Sequence, residues 1–188
     1  MHSLPPPLPP IALDVAADVV ARAAKVRLVV FDVDGVLTDG KLFFDEQGRE
    51  YKAFHARDGH GLKLLRSTGV ETAVISGRKS ESVSRRMENL GIDRVFQGIE
   101  DKLPVLQVLC AQQALSLDQV AYVGDDLLDL AVMRRVGLGV AVADAHFTLL
   151  GIAHWQTRQA GGHGAAREVC DLVMYAQGTL PGVVERYA

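Results

Sequence analysis

Short apolar segments alternate with segments of helical spacing along most of this chain, and this alternation limits the fold most strongly. The apolar segments are rich in Val, Ile and Leu, as strands buried on both faces of a parallel sheet are. Strands that alternate with helices predict an α/β fold, a Rossmann-like parallel sheet sandwiched by helices. The predicted strands are 27–32, 70–76, 94–98, 119–125, 138–143 and 154–157. The predicted helices are 11–25, 61–69, 79–91, 102–115, 126–137 and 164–178.

The length of 188 residues is that of one domain, which we place at 11–188. Five of the seven prolines fall in residues 1–10, which predicts a disordered lead rather than a secretory signal. Within 36–54, two strand-like runs flank a turn at Asp45–Gly48, which predicts a protruding β-hairpin. A C-terminal tail is expected at 158–188.

Composition excludes several classes of function. Charged residues make up 23% of the chain and the net charge is −3, which argues against a general nucleic-acid or membrane-surface binder. No apolar run approaches the length of a membrane helix. Cys110 and Cys170 lie outside any zinc-ligand spacing, so we expect two reduced thiols in a cytoplasmic protein.

Three predicted strands end in polar residues. They carry Asp-x-Asp at 32–34, Ser-Gly-Arg at 76–78 and Gly-Asp-Asp at 124–126. Ligands of open α/β sheets bind outside the carboxyl ends of the strands, so these groups should share one crevice. The alternative is that Asp and Gly only form turns here.

Carboxylates that meet at one point repel, by roughly 4 kcal/mol for two charges 4 Å apart at an effective dielectric near 20. A proton or a cation must relieve this, and hard oxygen ligands favour Mg²⁺ shared with a phosphate. Lys102 begins a predicted helix near the same edge. Ser76, with backbone N–H groups at a helix start, would seat an anion. The combination is typical of phosphoryl transfer.

These groups resemble, in order, the four motifs of haloacid dehalogenase superfamily phosphatases. The motifs are Asp32-Val33-Asp34-Gly35-Val36-Leu37-Thr38, then Ser76, then Lys102, then Gly124-Asp125-Asp126 with Asp129. The resemblance implies that Asp32 is the nucleophile that forms an aspartyl-phosphate. It also implies that Asp34 protonates the leaving alcohol and then activates water.

The same resemblance implies the binding roles. Mg²⁺ would be held by Asp32, the backbone carbonyl of Asp34 and Asp125. The phosphoryl oxygens would be bound by Ser76, Gly77 and Lys102. Asp126 would contact a metal-bound water or the lysine, and Asp129 would support the site from behind its ligands.

A narrower resemblance is to the family of 3-deoxy-D-manno-octulosonate 8-phosphate phosphatases. It is carried by the segments "DVDGVLTDG", "FHARDGHGLKLL", "ISGRKS", "GDDLLDL", "VAVADAH" and "GGHGAAREV". It implies Mg²⁺-dependent hydrolysis of that sugar-acid phosphate in lipopolysaccharide precursor synthesis, with no separate cap domain. It also implies a homotetramer in which hairpins pack together and each tail reaches a neighbouring active site.

Four arginines are candidates for binding the anionic substrate: Arg57, Arg78, Arg158 and Arg167. Arg78 follows Ser76-Gly77, and a guanidinium suits a carboxylate. Arg158 precedes "QAGGHGAARE" and Arg167 lies near its end. This glycine-containing segment could serve as a lid or be a plain surface loop. Asp58 is either the N-cap of the following helix or a functional group.

Other functions stay open at this point. An N-acylneuraminate or deaminoneuraminate 9-phosphate phosphatase would share much of the pattern. A non-catalytic assembly domain, like the C-terminal part of some sialic-acid activating enzymes, would not need the motif residues, which are all present here. A Ser-His-Asp hydrolase fits poorly because Ser76 is not in a Gly-x-Ser-x-Gly elbow.

Overall fold

A six-stranded parallel sheet forms the centre of the computed structural model, which describes residues 13–188. The strands are β1 (Leu28–Phe31), β2 (Phe43–Phe44), β3 (Glu50–Tyr51), β4 (Glu71–Ser76), β5 (Val95–Gln97), β6 (Val120–Gly124), β7 (Leu138–Ala141) and β8 (Trp155–Gln156). The sheet order is β5-β4-β1-β6-β7-β8. Each of the six strands predicted for the sheet is present, so the α/β parallel-sheet prediction is confirmed. The Pro-rich lead at 1–10 lies outside the described residues.

Helices cover both faces of the sheet. They are α1 (Ala17–Ala23), α2 (Ala56–Arg66), α3 (Glu81–Leu90), α4 (Lys102–Gln112), α5 (Leu130–Met133), α6 (Phe147–Leu150), α7 (Ala165–Ala176) and α8 (Leu180–Glu185). Alternate residues of β1 point to opposite faces. Val29 and Phe31 enter the core beneath α2 and α7, while Leu28 and Val30 enter the core beneath α4 and α5.

The segment between β1 and α2 contains the hairpin. β2 and β3 pair antiparallel, with Phe43 opposite Tyr51 and Phe44 opposite Glu50. The three aromatic side chains Phe43, Phe44 and Tyr51 are about half exposed. A pair of two-residue strands is marginal alone, so the hairpin depends on contacts with the rest of the protein.

Two predicted helices differ from those observed. α2 begins at Ala56 with His55 at its N-cap position, so of the two interpretations of Asp58 the structure excludes the N-cap of this helix. Asp58 instead accepts a hydrogen bond from the backbone N–H of Arg167 at 2.8 Å, in the first turn of α7. The helix expected at 126–137 divides into a 3₁₀ turn at Leu127–Asp129 and the short α5.

The C-terminal segment 158–188 packs against the rest of the same chain. α7 buries seven residues, among them Val169, Cys170 and Val173, and it packs closely against α2. A truncation at residue 161 would therefore remove part of the core as well as the glycine-containing segment. Among the residues described, no helix has both the length and the apolar character needed to cross a membrane.

We predict that Gly137→Ala lowers the free energy of unfolding by about 1–3 kcal/mol, because an added methyl group is forced into a filled space. A Cβ at Gly137 would lie 2.1 Å from the carbonyl oxygen of Asp118. The matched control is Gly182→Ala in α8, where a Cβ meets no atom within 4 Å. The control should be neutral or stabilising by about 0.5–1 kcal/mol. Urea unfolding at one protein concentration measures both, and equal values for the two variants would contradict the prediction.

Candidate active site

The three central strands bring the predicted motifs to one edge of the sheet. β1 lies between β4 and β6, with Phe31 in register with Val74 and Val123. The residue after β1, Asp32, therefore lies beside the end of β4, where Ser76 is, and beside Gly124 at the end of β6. Within the sheet the chain proceeds from β1 outward to β4 and β5, and then crosses to β6 on the other side of β1, which makes this edge a topological switch point.

Asp32 and Lys102 form an ion pair at the centre of the site. Lys102 Nζ lies 2.9 Å from Asp32 Oδ2, and the lysine side chain has no exposed surface. The other carboxylate oxygen, Oδ1, accepts a hydrogen bond of 2.7 Å from the N–H of Val33. Burial and the neighbouring Asp129 raise the pKa of Asp32 to about 7, although Lys102 opposes this. Asp32 is thus a fixed carboxyl group whose charge depends on its cationic neighbours.

Asp129 holds Lys102 in place from the opposite side. Its fully buried carboxylate lies 2.7 Å from Lys102 Nζ and accepts a hydrogen bond of 2.6 Å from the hydroxyl of Tyr122. It also accepts the N–H of Asp125 at 3.0 Å and that of Asp126 at 3.3 Å. Burial lowers the pKa of Lys102, but the charges of Asp32 and Asp129 outweigh this and raise it. Lys102 is therefore a buried cation and not a neutral base.

Asp125 faces the same cluster without a partner for one of its oxygens. Among the residues described, Oδ1 of Asp125 is buried and has no hydrogen-bond partner. Burial, then the charges of Asp32, Asp129 and Asp126, raise the pKa of Asp125 to about 8. Gly35 adopts φ +87°, and a Cβ there would lie 2.1 Å from Asp125 Oδ2. Glycine thus permits the loop after β1 to approach this carboxylate.

The carboxylates can hold a metal ion. Ligand oxygens of Asp32, Asp125 and Asp129 lie within 4.8 Å of one another. An all-carboxylate set suits a hard divalent cation such as Mg²⁺. The unpartnered oxygen of Asp125 fits this role, because a cation would compensate both its missing contact and its repulsion by Asp32. Asp129 is already engaged by Lys102 and Tyr122, so Asp32 and Asp125 are the better ligands.

Asp34 lies in a second ion-pair network that enters from the hairpin. Its Oδ1 contacts Nζ of Lys52, whose side chain is only 1% exposed. Lys52 also lies 3.0 Å from Glu50 Oε1, and Arg78 pairs with Oε2 of the same glutamate. Arg78 Nε is 3.8 Å from Asp34 Oδ2. The loop after β1, the segment that includes β3, and the residues after β4 are thereby joined through charged side chains.

Ser76 and Gly77 complete the edge. Ser76 is the last residue of β4 and is 2% exposed, and its hydroxyl accepts a hydrogen bond of 3.4 Å from the N–H of Arg78. A Cβ at Gly77 would lie 3.3 Å from a methyl carbon of Leu128, in the turn after β6. Ser76 and Gly77 therefore lie at the edge of the sheet where the sequence predicts a phosphate-binding site.

Contacts outside the predicted roles engage Asp126, Arg158 and Arg167. Asp126 is exposed and caps the 3₁₀ turn by accepting the N–H of Leu127, while Asp129 is the lysine's partner. Arg57 is exposed at the start of α2. Arg158 pairs with Asp14 at 3.0 Å, and Arg167 with Asp171 at 2.9 Å along α7. Within one chain, only Arg78 of the four arginines contacts a predicted catalytic carboxylate.

The glycine-containing segment 159–168 packs against the loop after β1, which carries Asp34. Gly162 N–H donates to the carbonyl of Val36 at 2.9 Å, and Gly161 N–H to Asp144 Oδ1 at 2.9 Å. A Cβ at Gly161 would lie 1.7 Å from the carbonyl oxygen of Gly35. Close backbone contact therefore requires glycine at 161 and favours it at 162, where φ is +67°, and the segment is packed in place rather than left as a plain surface loop.

Four residues contribute to the site in ways that were not predicted from the sequence: Lys52, Glu50, Tyr122 and Gly161. The first two carry a recognisable signal, since positions 50 and 52 of an extended segment point to the same side. Tyr122 is an aromatic residue in a buried strand, and its hydroxyl needs a partner. The contact of Gly161 joins segments more than a hundred residues apart, and no local pattern reveals it.

Comparison with known proteins relates this site to one family. A model of haloacid dehalogenase-like hydrolases matches residues 95–169. The 3-deoxy-D-manno-octulosonate 8-phosphate phosphatase of Yersinia pestis is 49% identical over 168 residues, which are 89% of this chain and 90% of that protein.

Two solved structures share the fold over most of their length. A probable YrbI family phosphatase from Pseudomonas syringae is 53% identical with a TM-score of 0.90, over 92% of this chain and 98% of the other. The 3-deoxy-D-manno-octulosonate 8-phosphate phosphatase of Moraxella catarrhalis, in complex with magnesium ion, phosphate ion and KDO, is 37% identical with a TM-score of 0.90. That match covers 91% of this chain and 98% of the other. The chain belongs to the 3-deoxy-D-manno-octulosonate 8-phosphate phosphatase family of haloacid dehalogenase-like hydrolases.

Proposed function

We propose that this protein is a Mg²⁺-dependent phosphatase that hydrolyses 3-deoxy-D-manno-octulosonate 8-phosphate to the free sugar acid and phosphate, in lipopolysaccharide precursor synthesis. The observation that carries the proposal is the buried group of Asp32, Lys102 and Asp125. It combines a nucleophilic carboxylate, a fixed cation and a carboxylate oxygen that has no hydrogen-bond partner among the described residues. The Yersinia pestis relative is a phosphatase of this substrate, and the Moraxella catarrhalis structure contains magnesium ion, phosphate ion and KDO, which supports the proposal.

In the first step, a carboxylate oxygen of Asp32 attacks the phosphorus atom. The bond between phosphorus and the substrate's bridging oxygen breaks, and Asp34 gives its proton to that oxygen so that it leaves as an alcohol. In the second step, Asp34 takes a proton from water, whose oxygen attacks the phosphorus. The bond to Asp32 breaks, which releases phosphate and restores the carboxylate.

The residues around Asp32 stabilise charge during both steps. Lys102 is oriented by Asp129 and Tyr122, so its ammonium would face the transferring phosphoryl group without reorganising. Ser76 and Gly77, at the end of β4, would bind the remaining phosphoryl oxygens. Asp32, Asp125 and the backbone carbonyl of Asp34 would hold Mg²⁺, which when bound neutralises negative charge on the phosphoryl group.

Arg78 is the best candidate for the substrate's carboxylate or hydroxyl groups. It is 44% exposed and lies beside Asp34, so it borders the entrance to the site. Arg158 and Arg167 pair with Asp14 and Asp171, neither of which is a motif residue of the site, and Arg57 would act across a subunit boundary. The roles of these three arginines therefore depend on the assembly.

We also propose a homotetramer in the cytoplasm. The exposed aromatic residues Phe43 and Tyr51, which lie opposite each other on one face of the hairpin, support an interface, and Phe44 is exposed on the other face. In such an assembly the hairpins would pack together, and segments of neighbouring subunits would border each active site. The free, buried thiols of Cys110 and Cys170 are consistent with a reducing compartment.

Asp32→Asn should lower kcat by about 10³-fold or more, because the amide cannot form the acyl-phosphate, while the fold is kept. Phosphate release from the sugar-acid 8-phosphate measures this, with circular dichroism for the fold. Asp93→Asn, an exposed aspartate after α3, is the control and should retain the activity. A fully active Asp32→Asn protein would contradict the nucleophile assignment.

Mg²⁺ should bind more tightly as the pH rises from 6 to 8, by about tenfold or more, because the cation displaces protons from carboxyl groups. The pKa of Asp32 is raised to about 7 and that of Asp125 to about 8, so the metal-free native state holds protons that the unfolded chain has lost. The metal-free protein should therefore lose stability over the same pH range. Titration calorimetry in two buffers of different ionisation enthalpy measures the proton release, and pH-independent affinity would contradict the assignment.

The substrate assignment predicts the highest kcat/KM for 3-deoxy-D-manno-octulosonate 8-phosphate, compared with N-acylneuraminate 9-phosphate and p-nitrophenyl phosphate. Arg78→Met should raise KM for the sugar acid about tenfold or more, through loss of a charge-assisted hydrogen bond, and change KM for p-nitrophenyl phosphate little. Preference for the 9-phosphate would instead favour a neuraminate-type enzyme. Absence of activity on all three by folded, Mg²⁺-loaded protein would favour an assembly domain.

A further inference from the structure

Lys52 is a buried cation that the mechanism above does not use. It follows β3, and its side chain is 1% exposed, whereas lysine is almost never buried unless it is paired. Both of its partners are carboxylates, Asp34 and Glu50. Removing a lysine from water is costly, so its placement needs a compensating interaction, and these two carboxylates provide it.

The contact of Lys52 with Asp34 is specific to one oxygen. Lys52 binds Oδ1, and among the described residues Oδ2 receives no hydrogen bond, with Arg78 Nε at 3.8 Å. A donor that fixes one oxygen of a carboxylate also fixes the direction of the other. Oδ2 is thereby left to exchange a proton with the leaving oxygen or with water.

Glu50 in turn fixes Lys52. Its Oε1 lies 3.0 Å from the lysine and its Oε2 pairs with Arg78, so the glutamate joins two cations at the entrance of the site. The backbone carbonyl of Glu50 also accepts a hydrogen bond from the hydroxyl of Ser82 at 3.3 Å, in the first turn of α3. The hairpin segment is therefore attached to the domain at the point from which Lys52 reaches Asp34.

We propose that Lys52 is a positioning residue for the reaction, which holds Oδ1 of Asp34 so that Oδ2 transfers the proton, and that Glu50 holds Lys52. The proposal rests on the proposed function, in which Asp34 is the acid of the first step and the base of the second. It assigns Lys52 no contact with the substrate, and its effect should therefore follow the steps in which Asp34 acts.

The test compares Lys52→Met with Lys41→Met in the full-length, Mg²⁺-loaded protein. Methionine keeps the length of the buried side chain and removes its charge. Lys41 precedes β2, its side chain is 70% exposed, and it pairs only with Asp39 among the described residues. Turnover of the sugar-acid 8-phosphate should fall about 100-fold in Lys52→Met, the usual contribution of a placed acid or base, and stay unchanged in Lys41→Met.

p-Nitrophenyl phosphate separates the two steps. Nitrophenolate leaves without a proton, so the first step should survive in Lys52→Met while the water-activating second step slows. Rapid mixing should then show a burst of about one nitrophenolate per active chain followed by slow release, as phosphorylated protein accumulates. Equal losses on both substrates with no burst would overturn the proposal, since that is the result of a merely structural role.

A double-variant cycle with Asp34→Asn gives a second readout. If Lys52 acts through Asp34, the double variant should be no slower than Asp34→Asn alone, because residues that act as a unit are not additive. Additive losses would overturn the proposal. If Lys52→Met fails to fold, Glu50→Gln takes its place and should produce the same burst of nitrophenolate. The absence of this burst in Glu50→Gln would overturn the proposal. An active wild type with an unchanged Lys52→Met would overturn this proposal alone, whereas an inactive wild type would overturn the proposed function as well.

Discussion

The repulsion among carboxylates at the ends of β1 and β6 is the constraint on which the site depends. Asp32, Asp125 and Asp129 bring their oxygens within 4.8 Å of one another in a largely buried space. One ammonium, that of Lys102, cannot neutralise three such groups. Burial, together with this remaining charge imbalance, raises the pKa values of Asp32 and Asp125. A divalent cation would remove this excess of negative charge. A phosphate group that then enters would restore part of it, so binding of the two ligands is linked through the charge of the site.

The fold supports this charge concentration through backbone contacts as much as through side chains. Asp129 is held by the N–H groups of the two residues after β6 and by Tyr122, so it can orient Lys102. Gly35 lets the loop after β1 approach Asp125, and Gly161 packs on that same loop from the C-terminal segment. A side chain at Gly35 would clash with the Asp125 carboxylate, and one at Gly161 would clash with the backbone of the loop after β1. The geometry of Asp34 thus depends on contacts between parts of the chain that are distant in sequence.

The parallel sheet and the positions of Asp32, Ser76, Lys102 and Asp125 were predictable, because local patterns encode them. Buried strands appear as apolar runs, and parallel strands place their carboxyl ends at one edge. Asp58 was not predictable in the same way. Its position before an apolar run is typical of an N-cap, but its carboxylate serves α7, more than a hundred residues later. The C-terminal segment likewise contains a glycine-containing stretch that local composition describes as flexible, while tertiary contacts fix it.

The hairpin illustrates how one short segment can have two faces with different functions. Glu50 and Lys52 point inward to Arg78 and Asp34, while Tyr51, between them, points outward beside Phe43. This follows from the two-residue period of an extended chain, which sends neighbouring side chains to opposite sides. A two-stranded hairpin is too small to be rigid alone, and the outer aromatic face is what another subunit would bury. Contacts on the outer face would therefore also restrain Lys52, and through it the carboxylate of Asp34.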